Sequence, residues 1–275
     1  MPELPEVETT RRHLAPVVEG ALIERVEVRR DRMARRNQRP GDVSDRMEGR
    51  RVLRLGRRGK FLLGELAGDI TWVSHLGMSG RFAIAPADEP ESDHTNVVIH
   101  LRGRPQVRLV DPRTFGFVAA YTPQELETAL RTVGPDALDE LPSARDLARV
   151  LAGRRAPIKA LLLDQRLVSG LGNIYADEVL HRARVAPHRP AGSLSAAEIG
   201  ALRRAIPVVL RAGLRHGGTS LDDLAYLLPD GSSGDYLARL AVYGRDDEAC
   251  RRCGTTIART VLRGRSSHWC PGCQL

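Results

Sequence analysis

The stretch APIKALLLDQRLVSGLGNIYADEVLHRAR (156–184) joins two helical patterns through a turn that contains Gly170 and Gly172. The apolar segment IKALLLDQ forms the first pattern, and Asn173, a favoured N-cap residue, opens the second. Glycines let the backbone come close to another group, and the N–H groups at a helix start suit a phosphate. The residues therefore predict a helix–turn–helix unit, and they leave a phosphate site and a plain helical hairpin equally open.

The charge of the chain favours a polyanion as its partner. The formal net charge is +8, the sequence pI is about 9.9, and much of the positive charge falls between positions 29 and 60. Such clustering is typical of a surface that binds nucleic acid, although an arginine-rich composition with solvated faces is the plainer explanation. The chain has 40 arginines and two lysines, Lys60 and Lys159. Each lysine points to a position that needs a compact ammonium rather than a guanidinium, and chance survival of two lysines is the alternative.

The length and hydropathy of the chain limit the classes of protein to which it can belong. A chain of 275 residues is long enough for about two domains with real cores. No apolar run has the length that spans a bilayer, and the acidic N-terminus lacks the apolar region of a secretory signal. We therefore expect a cytoplasmic protein that does not enter a membrane.

Residues 20–121 are predicted to be mostly strand, and residues 122–226 mostly helix. In the first region, short segments such as KFLLGEL and TNVVIHL are rich in apolar or β-branched side chains and are separated by Gly, Pro and Asp. Many short strands at this spacing indicate a sandwich or barrel. The second region carries the helix starts TPQE, SARD and SAAE. We therefore predict an α+β protein, with a Gly/Ser-rich loop at 228–236.

All four cysteines lie in the last 26 residues, as CRRC (250–253) and CPGC (270–273) with sixteen residues between the pairs. This spacing is typical of a four-cysteine zinc site. Because all four ligands are thiolates, a single Zn²⁺ ion should be structural rather than catalytic. An iron–sulfur cluster or a redox role is the alternative, and disulfides are not expected without an export signal. The predicted ligands are Cys250, Cys253, Cys270 and Cys273.

The N-terminal segment MPELPEVETT (1–10) has the pattern of a helix start. Proline suits the first helical position, acidic residues suit the positive end of the helix dipole, and apolar residues follow at roughly helical spacing. Pro16 is expected to stop this helix near Ala15, because proline has no N–H and clashes with the preceding turn. The pattern does not explain why so basic a chain begins with acids.

Three motifs together resemble the formamidopyrimidine-DNA glycosylase family of bifunctional base-excision repair enzymes. They are PELPEVE, LLLDQRLVSGLGNIYADE and the four-cysteine ribbon, and they occur in this order across the whole chain. The resemblance implies a monomer that acts on double-stranded DNA containing oxidised bases. The implied domains are an N-terminal β-sandwich with an N-terminal helix (1–121), a helical domain with a helix–two-turn–helix motif (122–238) and a zinc ribbon (239–275).

The resemblance also implies the chemistry of the N-terminus. In that family the methionine is removed, and the secondary amine of Pro2 attacks C1′ of the damaged nucleotide. An α-amino group has a pKa near roughly 7.7–8.0, so a useful fraction is unprotonated at neutral pH. The resulting iminium labilises the proton at C2′, and β- and δ-elimination of the phosphates follow. Glu3 is expected to be the general acid/base at the sugar oxygen, with Glu6 in support.

Several other residues match functional positions of the family. Lys60 matches a lysine near the damaged base and its phosphate; it is a rival nucleophile, but a free lysine has a pKa near about 10.4. Arg265 matches a ribbon arginine assigned to δ-elimination, although a permanently protonated guanidinium fits a phosphate clamp better. The remaining positions that match DNA contacts are His75, His94, Arg154, Lys159 and Asn173.

Three residues match those that fill the gap left by the extruded nucleotide. They are Met78 in HLGMSG and Arg113 and Phe115 in DPRTFG. Apolar wedges beside an arginine suit a vacated space in the base stack. Met78 or Phe115 taken alone would be assigned to a core. The segment departs from the commoner DPRRFG at Thr114, which spares the inserted residues but puts one backbone contact in doubt.

The implied substrates are oxidised purines, namely 8-oxoguanine and ring-opened formamidopyrimidines. The nearest alternative is an endonuclease VIII-like glycosylase, which prefers oxidised pyrimidines. PELPE and the Met–Arg–Phe set favour the purine branch. A second alternative is a zinc-ribbon DNA-binding protein without enzymatic activity, which would need neither a free Pro2 nor Glu3.

Overall fold

The computed structural model of the protein describes residues 2–220 and 226–275. The chain forms two compact units. As far as they are described, the first unit holds residues 1–131 and 214–237, and the second holds residues 132–213 and 238–275. The predicted α+β class, with a β-sandwich, a helical region and a cysteine ribbon, is confirmed. The three-part division at 121/122 and 238/239 remains a prediction.

Two antiparallel four-stranded sheets form the body of the first unit. Their strands are β1 (Ile23–Val28), β2 (Val52–Arg58), β3 (Phe61–Leu66), β4 (Ile70–His75), β5 (Arg81–Ala85), β6 (Thr95–Leu101), β7 (Gln106–Val110) and β8 (Phe117–Tyr121). One sheet has the order β1-β6-β7-β5, and the other has the order β2-β3-β4-β8. The strands alternate in direction because each is paired antiparallel with its neighbour in the sheet.

One apolar core takes side chains from both sheets. Trp72 of β4 is 1% exposed and meets Phe82 of β5 edge to face, with the ring centroids 6.1 Å apart. Gly64 of β3 lets the indole pack on the backbone, because a Cβ at Gly64 would lie 2.8 Å from the ring. Full burial of one large apolar side chain contributes about 1.5–3 kcal/mol. Other members of this core are Ile23, Val97, Leu109, Leu62 and Val118.

Helix α1 (Leu4–Val18) packs on this core through Val7 and Leu14. The prediction that Pro16 ends the helix near Ala15 is wrong, because α1 continues to Val18. Pro16 lies in the last turn, where its missing N–H removes only one hydrogen bond, and burial of Val18 offsets that loss.

The sequence patterns missed part of the first unit. The region predicted to be mostly strand also holds a 3₁₀ turn (Asp31–Ala34) and helix α2 (Asp42–Met47). Met33 and Val43 from these two segments are fully buried in the same core. Their apolar residues are too few to show a period, so only the folded core reveals them.

The predicted helix starts are confirmed. The helices are α3 (Pro123–Leu130), α4 (Ala144–Leu151), α5 (Ile158–Leu162), α6 (Asn173–Ala183) and α7 (Ala196–Arg215). Thr122 forms a capping box with Glu125, and Ser143 accepts the N–H of Asp146 at 3.1 Å. These side chains satisfy N–H groups that have no partner within the first helical turn.

The cysteine ribbon closes the second unit. Strands β9 (Ala258–Leu262) and β10 (Arg265–Trp269) form an antiparallel hairpin, and β10 packs against α6. Among the described residues, no helix has both the length and the apolar character needed to cross a membrane.

Candidate active site and nucleic-acid interface

Helix α1 begins beside Pro2 with a reciprocal cap. Glu6 Oε2 accepts the backbone N–H of Glu3 at 2.8 Å, in a capping-box arrangement. Pro2 and Glu3 are both buried, and Glu3 is 1% exposed. The cap therefore holds the residue next to Pro2 in one geometry and restricts the movement of Pro2 itself. The predicted loss of Met1 concerns a residue outside the described ranges.

Glu6 also binds a distant turn of the same unit. Its Oε1 accepts the N–H of Thr219 at 2.7 Å, and its carbonyl oxygen accepts the hydroxyl of Tyr226 at 3.0 Å. Gly218, with φ +85°, lies against the carboxylate, and a Cβ there would come within 2.7 Å of Oε1. Only glycine fits both this conformation and this close approach. The supporting role predicted for Glu6 stays a prediction, and its contact with Thr219 is one that the sequence did not indicate.

Lys60 lies in the tight turn between β2 and β3 and is 5% exposed. Arg57 braces this turn, because its Nη1 donates to the carbonyl oxygen of Gly59 at 2.9 Å. The Arg57 Nε lies 3.3 Å from Glu8 Oε2 on α1. The ion pair therefore connects the turn that carries Lys60 to helix α1, whose N-cap is Glu3.

Glu8 is held in its ionised form by the arginines around it. Burial raises the pKa of Glu8, but hydrogen bonds from Arg11 and Arg12 and the charges of Arg11 and Arg57 lower the pKa more, to about 2. Since the ordinary value is 4.5, this carboxylate contributes stability above about that pH. The contribution is lost as the pH falls toward about 2.

His75 stands at the end of β4, next to Phe117. The two rings are stacked with centroids 5.9 Å apart, and His75 Nδ1 accepts the N–H of Gly77 at 3.0 Å. Burial, followed by the positive charges of Lys60 and two arginines, lowers the pKa of His75 to about 4. The imidazole is therefore neutral at pH 7 and carries its proton on Nε2. It can donate a hydrogen bond to a phosphate but supplies no charge.

The three predicted gap-filling residues lie on two loops that touch. Gly77 has φ +64°, and a Cβ there would lie 2.4 Å from the backbone nitrogen of Gly116. Met78 is 39% exposed and Phe115 is 38% exposed, so both side chains project from the surface of the unit rather than into its core. The guanidinium of Arg113 lies over the Phe115 ring, 4.6 Å from its centroid.

Asp111 holds the loop of Arg113 and Phe115 through hydrogen bonds. Its side chain is fully buried and accepts the Ser79 hydroxyl at 2.7 Å and the N–H of Gly116 at 2.7 Å. Its own N–H donates to the carbonyl oxygen of His94 at 3.0 Å. His94 is exposed and has φ +65°, and the backbone N–H of Asp111 holds its carbonyl group in place.

In the second unit, Asn173 is the first residue of α6, and Gly172 is the N-cap. The interpretation of Asn173 as the N-cap is therefore wrong. Gly172 is extended, with φ −133° and ψ −158°, and it supplies the cap without a side chain. Asn173 Nδ2 instead donates to Ser266 Oγ on β10 at 3.3 Å. The amide thus joins the helix start to the ribbon.

Lys159 is almost fully buried in an ion pair with Asp177. The Lys159 Nζ lies 2.7 Å from Asp177 Oδ1 and donates to the carbonyl oxygen of Ser266 at 2.6 Å. Asp177 Oδ2 accepts the N–H of His268 at 2.9 Å. The pair connects α5, α6 and β10. The phosphate contact of Lys159 stays a prediction, and here its ammonium is directed into the interior.

Arg154 and Arg265 present exposed guanidinium groups in the second unit. Arg154 follows α4, and its Nε donates to the carbonyl oxygen of Val150 at 3.1 Å. Arg265 opens β10 opposite Leu262, at the turn of the hairpin. Both positions are accessible to an anion such as a phosphate.

The four cysteines form a cluster that fits a Zn²⁺ ion. Their sulfur atoms all lie within 4.8 Å of one another, with Cys250 and Cys273 separated by 3.9 Å and Cys253 and Cys270 by 3.5 Å. A tetrahedral ion with Zn–S bonds of about 2.3 Å requires sulfur separations of roughly 3.8 Å. His181 Nε2 lies 3.5 Å from Cys250 Sγ, within hydrogen-bond distance of this sulfur.

Known proteins match the whole chain. Three protein-family models match it in order: the formamidopyrimidine-DNA glycosylase N-terminal domain (1–118), the formamidopyrimidine-DNA glycosylase H2TH domain (133–224) and the zinc finger found in FPG and IleRS (247–275). A formamidopyrimidine-DNA glycosylase of Thermus thermophilus is 45% identical over 277 residues, covering 100% of this chain and 98% of its own. The chain belongs to the formamidopyrimidine-DNA glycosylase family. The expected resemblance and the structural zinc site are thereby confirmed.

Solved structures of formamidopyrimidine-DNA glycosylases agree with this assignment. The MutM (Fpg) protein of Thermus thermophilus has a TM-score of 0.89 at 44% identity, covering 99% of this chain and 98% of its own. Lactococcus lactis Fpg, solved with DNA containing Fapy-dG, has a TM-score of 0.90 at 32% identity and covers 99% of both chains. The roles of individual residues in this family member remain predictions.

Replacing Asp177 with asparagine should destabilise the protein by about 3–5 kcal/mol, because it leaves the buried Lys159 ammonium without a counter-charge. Chemical denaturation measures the change. The control is Glu65→Gln, which removes an exposed partner of Arg54 and should cost at most about 1 kcal/mol. Equal effects of the two substitutions would contradict a structural role for the buried pair.

Replacing Cys253 with serine should release the metal and weaken binding to duplex DNA, because the ribbon depends on all four thiolates. Native mass spectrometry measures the bound Zn²⁺, and fluorescence anisotropy measures DNA binding. Thr256→Ala, an exposed position in the same ribbon, is the matched control and should change neither quantity. Zinc-free protein that binds DNA like the unmodified chain would argue against a structural ion.

Proposed function

We propose that this protein is a bifunctional DNA glycosylase and AP lyase that excises oxidised purines, such as 8-oxoguanine and formamidopyrimidines, from double-stranded DNA. The observation that carries the proposal is the rigid start of α1, where the cap between Glu3 and Glu6 closes at 2.8 Å beside buried Pro2. Relatives that cover the whole chain are formamidopyrimidine-DNA glycosylases, and Lactococcus lactis Fpg has been solved with Fapy-dG and with abasic DNA.

The first step is an attack by the amine of Pro2. Once Met1 has been removed, the Pro2 nitrogen forms a bond to C1′ while the bond from C1′ to the base breaks. The base leaves with the electron pair and takes up a proton. Glu3, which lies at the same helix start, protonates the sugar ring oxygen as the ring opens. Because Pro2 is a secondary amine, loss of its proton and opening of the ring leave a cationic iminium.

The iminium then drives cleavage of the strand. It withdraws electrons from C2′, whose proton is lost, and the bond from C3′ to the phosphate oxygen breaks in β-elimination. A second elimination removes the proton at C4′, which passes to water, and breaks the bond from C5′ to its phosphate oxygen, so that the phosphate leaves with the electron pair. Water then hydrolyses the iminium and restores Pro2. The product is a gap with a phosphate at both ends.

Lys60 is proposed to hold the phosphate next to the damaged nucleotide. Lys60 is 5% exposed and lies in a tight turn. The compact ammonium of lysine suits this enclosed position better than the larger guanidinium of arginine. The Arg57–Glu8 contact at 3.3 Å keeps this turn attached to α1, so the Lys60 ammonium keeps its position relative to Pro2 and Glu3.

The other predicted residues are proposed to hold and distort the DNA. Met78, Arg113 and Phe115 fill the vacated stack, and their exposure supports this use. Lys159 acts by holding the ribbon hairpin through Ser266, since its ammonium is already paired with Asp177 at 2.7 Å. The proposed DNA-backbone contacts are His75, His94, Arg154, Asn173 and Arg265.

In this proposal the segment 1–121 supplies the chemistry, and the segments 122–238 and 239–275 hold the DNA backbone. The enzyme acts as a monomer, because one copy of the chain carries every residue that the proposed reaction uses. Since the proposed substrate is chromosomal DNA, the enzyme works in the cytoplasm, at the DNA.

A second substrate class also has specific support. Lactococcus lactis Fpg has been solved with DNA containing an oxidised pyrimidine, with a TM-score of 0.90 to this chain at 33% identity. Each assay of excision should therefore compare 8-oxoguanine with thymine glycol in otherwise identical duplexes.

Borohydride should trap the protein covalently on 8-oxoguanine duplex, because it reduces the iminium at C1′ to a stable amine. Denaturing gel electrophoresis of labelled DNA detects the adduct. Thymine glycol duplex should give less adduct under the same conditions. Absence of any adduct would rule out the iminium mechanism. A larger amount of adduct with thymine glycol than with 8-oxoguanine would indicate that the preferred substrates are oxidised pyrimidines.

Blocking the amine of Pro2 should abolish cleavage without weakening DNA binding, because the nucleophile is lost while the DNA contacts remain. An N-terminal Gly-Ser extension makes Pro2 an internal residue, and cleavage and binding are then measured on one duplex. Protein with free Pro2 from the same preparation is the control. Cleavage that survives the extension would identify Lys60 as the nucleophile instead.

A further inference from the structure

Two arginines far from DPRTFG in the sequence bind the backbone of the loop that carries Arg113 and Phe115. Arg35 donates from Nη1 to the carbonyl oxygen of Gly116 at 2.7 Å and from Nη2 to that of Phe115 at 2.8 Å. Arg32 Nε donates to the carbonyl oxygen of Thr114 at 3.2 Å. Three successive carbonyls of one loop are thus satisfied by two side chains about 80 residues earlier.

The loop needs such support because its backbone is strained at Thr114. Thr114 has φ +51°, a left-handed conformation that β-branched residues rarely adopt. Asp111 and Gly77 hold the inner side of the loop, through the N–H of Gly116 and through close backbone packing. The outer side faces solvent, and the two arginines supply its contacts.

The hydrogen bonds of Arg35 distinguish it from an arginine whose guanidinium is open to bind a phosphate. Its Nη1 also donates to the carbonyl oxygen of Arg32 at 2.6 Å, so three backbone carbonyls already occupy its guanidinium. Arg36 provides the contrast. The guanidinium groups of Arg35 and Arg36 lie over the Phe117 ring at 5.7 Å and 5.5 Å, but of these two arginines it is Arg35 that binds the carbonyls of Phe115 and Gly116.

We propose that Arg35, assisted by Arg32, is a positioning residue that holds the strained loop in the conformation from which Arg113 and Phe115 enter the vacated base stack. This inference rests on the proposed function. A loop that is already ordered before DNA binds loses little conformational entropy on binding. The free energy of inserting its side chains into the base stack is therefore more favourable. Arg35 touches no reacting atom in this proposal, and its effect reaches the reaction through the extrusion step alone.

The test compares Arg35→Gln with the matched control Arg36→Gln, which removes the same charge above the same ring. Arg35→Gln should slow single-turnover excision of 8-oxoguanine from duplex DNA by about tenfold or more. It should leave cleavage of an abasic site in single-stranded DNA unchanged, because no base stack has to be filled there. Arg36→Gln should change neither rate by more than about twofold, the scale of an exposed residue.

Arg35→Lys separates hydrogen bonding from charge. A lysine keeps the charge but cannot bridge the carbonyls of Phe115 and Gly116 as a planar guanidinium does, so this variant should be as slow on duplex as Arg35→Gln. If Arg35→Lys matches the unmodified protein, or if Arg35→Gln and Arg36→Gln slow excision equally, the positioning role is wrong.

The single-stranded substrate keeps this test separate from that of the proposed function. An unmodified protein that forms no borohydride adduct on either 8-oxoguanine duplex or single-stranded abasic DNA would refute the iminium chemistry itself. An Arg35→Gln protein that forms the adduct normally but extrudes 8-oxoguanine slowly would support the positioning role. Loss of activity on both substrates at an unchanged melting temperature would refute it.

Discussion

The proposed chemistry depends on the hydrogen bonds that the carboxylate of Glu6 accepts. A residue at a chain terminus has only one covalent neighbour, so its position must be set by noncovalent contacts of the residues that follow it. Glu6 accepts the N–H of Glu3 at 2.8 Å and the N–H of Thr219 at 2.7 Å, and therefore uses both oxygens on backbone groups. Bonds to backbone N–H groups have little freedom to rearrange, because the backbone on each side is already ordered. Glu6, an acid in an otherwise basic chain, thus holds the first described residues in place.

Arginine has two different uses in this protein, and the net charge does not separate them. Arg108 is 3% exposed and donates to the carbonyl oxygens of Pro86 and Glu89, which fixes the loop between β5 and β6. Arg57 and Arg35 likewise bind backbone carbonyls of loops beside the candidate site. Arg265 is exposed at the turn of the β9–β10 hairpin, where a phosphate can reach it. A planar group with five donors suits both uses, so a sequence count overstates the charge available to DNA.

Local patterns were predicted well where the interaction that stabilises them is itself local. Thr122 caps α3 through Glu125, three residues later, and the cysteine pairs converge because the β9–β10 hairpin between them brings four sulfurs within 4.8 Å. The prediction for Pro16 failed because burial of Val18, a tertiary effect, offsets a local penalty. The cap at Asn173 failed for a similar reason, since the ribbon offers its side chain a partner in Ser266 at 3.3 Å.

The sequence by itself determined the family, the zinc ligands and the identity of most candidate residues, because these depend on motifs with specific residue types at specific spacings. Only the tertiary structure decided how those residues are held. Asp177 opposite Lys159, Thr219 against Glu6 and Arg57 against Glu8 are contacts between segments far apart in the chain. Such contacts leave no periodic trace in a single sequence, because each requires only one residue in each segment. They form when the burial of apolar side chains brings the segments together, and the polar groups caught between them must then be satisfied.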